Sequence, residues 1–231
     1  MTILEPIAAR YLARERDIAP EPDGIVRAMP VVLRLERPPA ERTPVLEAAA
    51  AAALALCLDP RAEPGGEWHE PVTMWVDNRI RKIARRARGA HWAAVELLPG
   101  VTCTVGDAQA RALVPGPVDD VSREVARLQI GGTELEPDEP GPPGSEQPVI
   151  WVNAALKMTV GKAAAQVGHA AMLYAAARGL TAVPAFAVRD AEPEHWAYLL
   201  EQAADGAAVA VRDGGFTEVA PGTVTCVTTD P

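Results

Sequence analysis

Residues 149–179 read VIWVNAALKMTVGKAAAQVGHAAMLYAAARG. The apolar run Val149 to Val152 suits a buried strand, and a polar connection holding Lys157 and Gly161 follows it. An Ala-rich segment then continues to Gly179, a residue well suited to a left-handed helix stop. The stretch is therefore a strand, loop, helix unit. Lys162, Gln166 and His169 stand at i, i+4 and i+7 and share one face near the start of the helix. Such a stripe either faces solvent or serves a site.

Strand and helix signals alternate along the rest of the chain. A helix is predicted over Ile3–Arg16 and a strand over Pro30–Glu36. Thr43 is predicted to cap a helix that starts at Pro44 and runs through Val45–Leu58. Val72–Asp77 reads as a strand, with Asn78 capping a helix over Arg79–Arg88, where six of ten residues are basic and Ile80, Ile83, Ala84 and Ala87 form an apolar stripe. Residues 94–105 read as a hairpin about Pro99-Gly100, and Asp119–Gln129 as a helix. Gly131 to Pro148, rich in Pro, Gly and acid, is expected to be extended and mobile. Beyond it come a strand at Ala185–Val188, a helix at Pro193–Ala204, and strands Ala207–Val211 and Thr223–Thr228 flanking the loop Asp213–Gly222. The alternation implies an α/β protein, with helices on both faces of a mixed β-sheet.

The run L-K-M-x-x-G-K-x-A-A-Q-x-x-H-A-A at Leu156 to Ala171 resembles the first strand-to-helix unit of type 2 peptidyl-tRNA hydrolases. V-R-D-G-G-F-T-E-V-A-P-G-T-V-T-C-V, Val211 to Val227, resembles the D-A-G-x-T-x-I-A-P-G signature of the same family. The resemblance covers Pro148 to Pro231. It implies a metal-independent, cofactor-free hydrolysis of the ester bond of peptidyl-tRNA or a related N-acyl-aminoacyl-tRNA, with Lys162, Asp213 and Thr217 as the catalytic set and Gln166, His169 and Lys157 in support. Against the family pattern, Asn153, Ala154 and Ala155 replace R-T-D, Val160 replaces a common Lys and Phe216 a common Arg. The loss of basic groups leaves open a second function, a catalytically inactive RNA-binding or protein-interaction module that keeps the fold. Apart from the resemblance, Asp213-Gly214 is an ordinary turn dipeptide, Thr217 an ordinary strand residue, and Gln166 and His169 ordinary packing partners.

Pro30 to Leu58 parallels Pro148 to Arg178 in order, which suggests an internal duplication. Two registers are open: Glu96–Val105 pairs with Glu218–Val227, or Val105–Asp107 and Pro115-Gly116 pair with Val211–Asp213 and Pro221-Gly222. The expected organisation is an arm at 1–29, a degenerate hydrolase-like copy at 30–132, a linker at 133–148 and an intact copy at 149–231. Leu46-Glu47-Ala48-Ala49 lies where the first copy would need its Lys-Ala-Ala-Gln, so no catalysis is expected there.

The net charge of −9 argues against indiscriminate nucleic-acid binding. Residues 149–231 hold five basic and eight acidic side chains, so contact with tRNA or peptidyl-tRNA is expected from the basic helix, through Arg79, Arg81, Lys82, Arg85, Arg86 and Arg88. The same helix reads equally well as a solvated face with acid partners. Of 22 basic residues only three are Lys, and two of these, Lys157 and Lys162, sit in the family-like motif. Three cysteines without a C-x-x-C pair and four scattered histidines indicate neither a disulfide framework nor a metal centre, and the expected compartment is the cytoplasm. No apolar run reaches the roughly 20 residues of a membrane span. Assembly as a homodimer is left open.

Overall fold

The computed structural model describes residues 3–13, 21, 23–215 and 218–231. It is an α/β protein built on two mixed sheets. The first sheet has the order β2-β1-β4-β3, from β1 (Arg27–Arg34), β2 (Lys82–Ala87), β3 (Gly100–Val105) and β4 (Ala108–Leu113), with the two-residue β5 (Gly116–Pro117) also paired to β1. The second has β6 (Val149–Asn153), β7 (Ala187–Ala191), β8 (Ala208–Arg212) and β9 (Val224–Thr229) in the order β7-β6-β9-β8. In each sheet the first strand pairs in parallel with the second and antiparallel with the last, and the last two pair antiparallel. In the two strand orders β3 and β8 both take the last place.

Two long helices, α2 (Arg42–Leu58) and α6 (Val160–Arg178), lie side by side between the sheets. α2 packs on β3 and β4 and reaches β7, while α6 packs on β8 and β9 and reaches β2. Ala and Gly at their contact let the backbones approach closely, so one core joins residues of both sheets, from Val31 and Leu54 to Val167 and Cys226. On the outer face of the first sheet, α4 (Gly89–Glu96) and α5 (Arg123–Ala126) bury Trp92, Val95 and Val125 against Val32 and Leu113. On the outer face of the second, α7 (Pro193–Ala204) buries Trp196 and Leu199 against Ala208 and Val227.

Several expectations need correction. The helix read over Arg79–Arg88 is strand β2. Its neighbour β1 is buried on both faces and needs a parallel partner on that side, and this tertiary demand outweighs the local helical pattern. The strand read over Val72–Asp77 belongs to helix α3 (His69–Val76), whose buried Val72, Trp75 and Val76 have helical spacing. Residues 94–96, read as a hairpin arm, are the last turn of α4, and β3 pairs instead with β4. The helix read over Asp119–Gln129 is the short α5, capped by Ser122. Thr43 lies inside α2, whose N-cap is Glu41, and the capping carboxylate comes from Asp138, which accepts the Thr43 backbone N–H at 3.0 Å and its hydroxyl at 2.9 Å.

The segment read as a free arm contains α1 (Glu5–Leu12), which packs on α6 with Leu4 and Ile7 in the core; the predicted residues 14–16 of that helix lie outside the described ones. Residues 131–148 carry no helix or strand, yet they are tied down along their length. Besides Asp138, Gly132 accepts from Arg86 at 2.7 Å and Gly141 from Arg189 at 2.6 Å, and Thr133 is buried. Among the described residues no helix is long and apolar enough to cross a membrane.

Candidate active site at the head of α6

α6 starts at Thr159, whose hydroxyl accepts the Lys162 backbone N–H at 3.2 Å, and it stops at Gly179 with φ 63°. Its polar stripe does not face solvent. Lys162 Nζ lies 2.6 Å from Asp213 Oδ2, and Gln166 Nε2 donates to the same oxygen at 2.8 Å. The other carboxylate oxygen accepts the Gly215 backbone N–H at 2.7 Å. The side chains of Lys162 and Asp213 are only 8% and 7% exposed, so this ion pair is largely desolvated.

Asp213 follows β8 directly, at the head of the loop leading to β9. Gly215 lies at φ +76° and a Cβ there would come within 2.3 Å of Pro221, so the turn accepts only glycine. Glu218, on the same loop, reaches back to the head of α6. It accepts the Thr159 hydroxyl at 2.7 Å and the Thr159 backbone N–H at 3.1 Å. A carboxylate therefore sits where the helix dipole and unpaired N–H groups favour an anion.

The structure thus joins Lys162, Gln166 and Asp213. Thr217 lies outside the described residues. Lys157 is exposed, with φ 46°, on the connection before α6. His169 points toward the first sheet instead, with Nδ1 3.1 Å from Lys82 Nζ. Burial, then the nearby Lys82 and Lys162, push its pKa well below the ordinary value, so its imidazole is neutral at neutral pH.

Three members of the cluster were not legible in the sequence. Thr159 and Glu218 join the two motifs. Thr225 donates its hydroxyl to Gln166 Oε1 at 2.5 Å, which turns the amide so that its NH₂ faces Asp213. Thr159, an N-cap residue type three positions before Lys162, offered the one local signal.

The corresponding place in the first half differs. Asp138 binds Thr43 in the first turn of α2 and Glu218 binds Thr159 at the head of α6; counted from these threonines, Leu46, Ala50 and Ala53 have the spacing of Lys162, Gln166 and His169. All three are fully buried apolar residues. A cleft of about 190 Å³ lined by Arg34, Glu36 and Asp107 lies beside this head of α2. Burial holds the thiols of Cys57 and Cys226 up at about 12, so neither is a ready nucleophile. Among the described residues no group of three or more His, Cys, Asp or Glu is placed to hold a metal ion.

The basic segment forms no cationic face. Alternation along β2 sends Lys82, Ala84 and Arg86 inward and Arg85 and Ala87 outward. Arg81 pairs with Glu21. Arg85 is buried and donates to the Val125 and Leu128 carbonyls at 3.1 and 3.2 Å, stapling the C-terminal end of α5, where the helix dipole is negative. Arg86 bonds Gln129 and Gly132, and Lys82 meets His169. Arg79 is partly buried, and Arg88 is exposed just before α4. In place of the expected grouping of six cations on one helix, Arg81, Arg85 and Arg86 bind acceptors within the first half and Lys82 meets α6.

Comparison with family models, curated proteins and solved structures finds no match to this chain.

Proposed function

We propose that the chain hydrolyses the ester bond of peptidyl-tRNA, or of a related N-acyl-aminoacyl-tRNA, at the head of α6. The observation that carries the reading is the convergence of Lys162 and Gln166 on one oxygen of Asp213, which brings the two family-like motifs, 51 residues apart at Lys162 and Asp213, into one cluster. In this mechanism Asp213 orients a water and takes its proton as the water attacks the ester carbonyl carbon. The Lys162 ammonium and the N-terminal end of α6 stabilise the developing oxyanion. The carbonyl re-forms, the ester C–O bond breaks, and the ribose hydroxyl leaves with a proton. Gln166 holds the carboxylate in place, and Thr225 holds Gln166.

We also infer an internal duplication, supported by the shared strand order of the two sheets and the matched Thr43–Asp138 and Thr159–Glu218 caps. The first unit has apolar residues where the second has its polar stripe, so it acts as a structural partner.

The second reading, a non-catalytic module that keeps the fold, is favoured by a different observation. Both oxygens of Asp213 are engaged, and Glu218 occupies the head of α6, so catalysis requires the 213–222 loop to release Glu218 as substrate binds. Incubation of the purified chain with N-acetyl-aminoacyl-tRNA separates the readings. The hydrolase releases free tRNA well above the buffer rate, whereas the module retains tRNA on a filter without cleaving it.

A further inference from the structure

Lys82 occupies a setting unlike that of its basic neighbours. Its register opposite Met29 turns it to the inner face of β2, toward α6. The stem lies across Gly168, where a Cβ would come within 3.1 Å of Lys82 Cδ and 3.2 Å of Cε, so the bare backbone of α6 forms the bed of this side chain. The amine ends 3.1 Å from His169 Nδ1 and 5.1 Å from the centroid of the Trp75 ring. The Cys57 thiol on α2 is near enough to couple with it electrostatically. Among the described residues no carboxylate pairs with Lys82, whereas Arg81, Arg85 and Arg86 each end on oxygen acceptors.

We propose that Lys82 is a nucleophilic amine that condenses with small aldehydes or ketones to form a Schiff base at the junction of β2 and α6. In the tautomer with Nδ1 unprotonated, the amine donates an N–H to the imidazole and its lone pair is directed away from that bond. Burial lowers the Lys82 pKa to about 7, so the neutral amine is populated near neutral pH. His169 is neutral there, and the Cys57 thiol, held at about 12, neither neutralises the amine as a thiolate nor competes with it. Lys82 and His169 both keep some exposure to solvent.

The chemistry balances without an oxidant or reductant. The amine attacks the carbonyl carbon, the C=O π pair moves to oxygen, and one amine proton passes to His169 Nδ1 as the carbinolamine forms. The imidazolium returns that proton to the alkoxide oxygen to give the hydroxyl; the second N–H proton then passes by the same route to the hydroxyl, water leaves, and the C=N bond closes.

The test uses the full chain with propionaldehyde and cyanoborohydride, which traps the imine as an alkylated amine, read by peptide mass spectrometry. With three lysines in the chain, exposed Lys157 serves as the internal control for an ordinary amine. At neutral pH Lys82 is expected to react at least about ten-fold faster than Lys157, an advantage that disappears in urea. Its pH profile should reach half-maximum near about 7, and His169→Gln should slow Lys82 while leaving Lys157 unchanged. Alkylation of Lys82 no faster than of Lys157 throughout the pH range, or only after unfolding, would overturn the proposal.

Discussion

The Thr225 hydroxyl lies 2.5 Å from Gln166 Oε1, and it reaches that oxygen because β9 carries an extra residue. Val211 pairs with Cys226 but Arg212 with Val224, so Thr225 has no partner on β8 and turns to the same side of the sheet as Cys226. Bulges of this kind re-aim side chains beside functional sites. Thr225→Val preserves shape but removes the donor. The Gln166 amide is then free to rotate its oxygen against the Asp213 carboxylate. Loss of the buried hydrogen bond should cost about 1–3 kcal/mol in urea unfolding. Thr225→Ser should restore most of it; equal stability in Thr225→Val and the parent chain would show that the bond has no orienting role.

Lys162 and Asp213 form a buried pair, so removing either partner takes an opposite charge away from the other. Lys162→Met and Asp213→Leu are each expected to lose about 3–5 kcal/mol. The double variant should lose much less than the sum, because it removes both charges of the pair. Additive losses in a double-mutant cycle would mean that the two groups do not interact in solution.

Stability should depend on pH through His169 and Lys82. The folded pKa of His169 lies well below 6.5, so the unfolded chain takes up the extra proton as pH falls. Its contribution is complete above about 6.5 and is lost below it. For Lys82 the folded value is about 7 against an ordinary 10.5, so the unfolded chain holds the extra proton between them and stability rises with pH through that interval. Above about 9 the raised Cys57 and Cys226 values act in the opposite sense, which confines the clean window to about 7–8.5. Urea unfolding should therefore show a rising limb in that window, flattened by Lys82→Met, and an acid limb below about 6.5, flattened by His169→Gln. Unchanged slopes in both variants would rule out these groups as the source.

What the sequence revealed and what it concealed follow from where the information lay. The unit around Val149–Gly179 was legible because its apolar run, the spacing of its polar stripe and its glycine stop are all local. Arg79–Arg88 misled because its cations do not mark a solvent face: Arg85 is buried against helix carbonyls contributed 40 and 43 residues away. Nor can alternation reveal a bulge, so Thr225 looked like an ordinary strand residue. Lys162, Gln166 and Asp213 were found through motifs, whereas the Glu218–Thr159 bond needed the folded loop.

The segment 131–148 is tied to both halves, and α2 and α6 share one core. Asp138→Ala removes the cap of α2 and should destabilise the chain by about 1 kcal/mol. A protease cut between Gly141 and Gly144 should yield two pieces that still co-elute in gel filtration, because no contact between the helices is severed. Separation of the pieces without denaturant would show that each half is stable by itself.

The most direct test compares the parent chain with Asp213→Asn on N-acetyl-aminoacyl-tRNA under single-turnover conditions, with a thermal melt to confirm folding. The mechanism predicts tRNA release by the parent and a rate lower by roughly 10²–10⁴ in the variant, the usual cost of losing a positioned general base. Full activity in a folded Asp213→Asn chain, or no release by the parent, would contradict it.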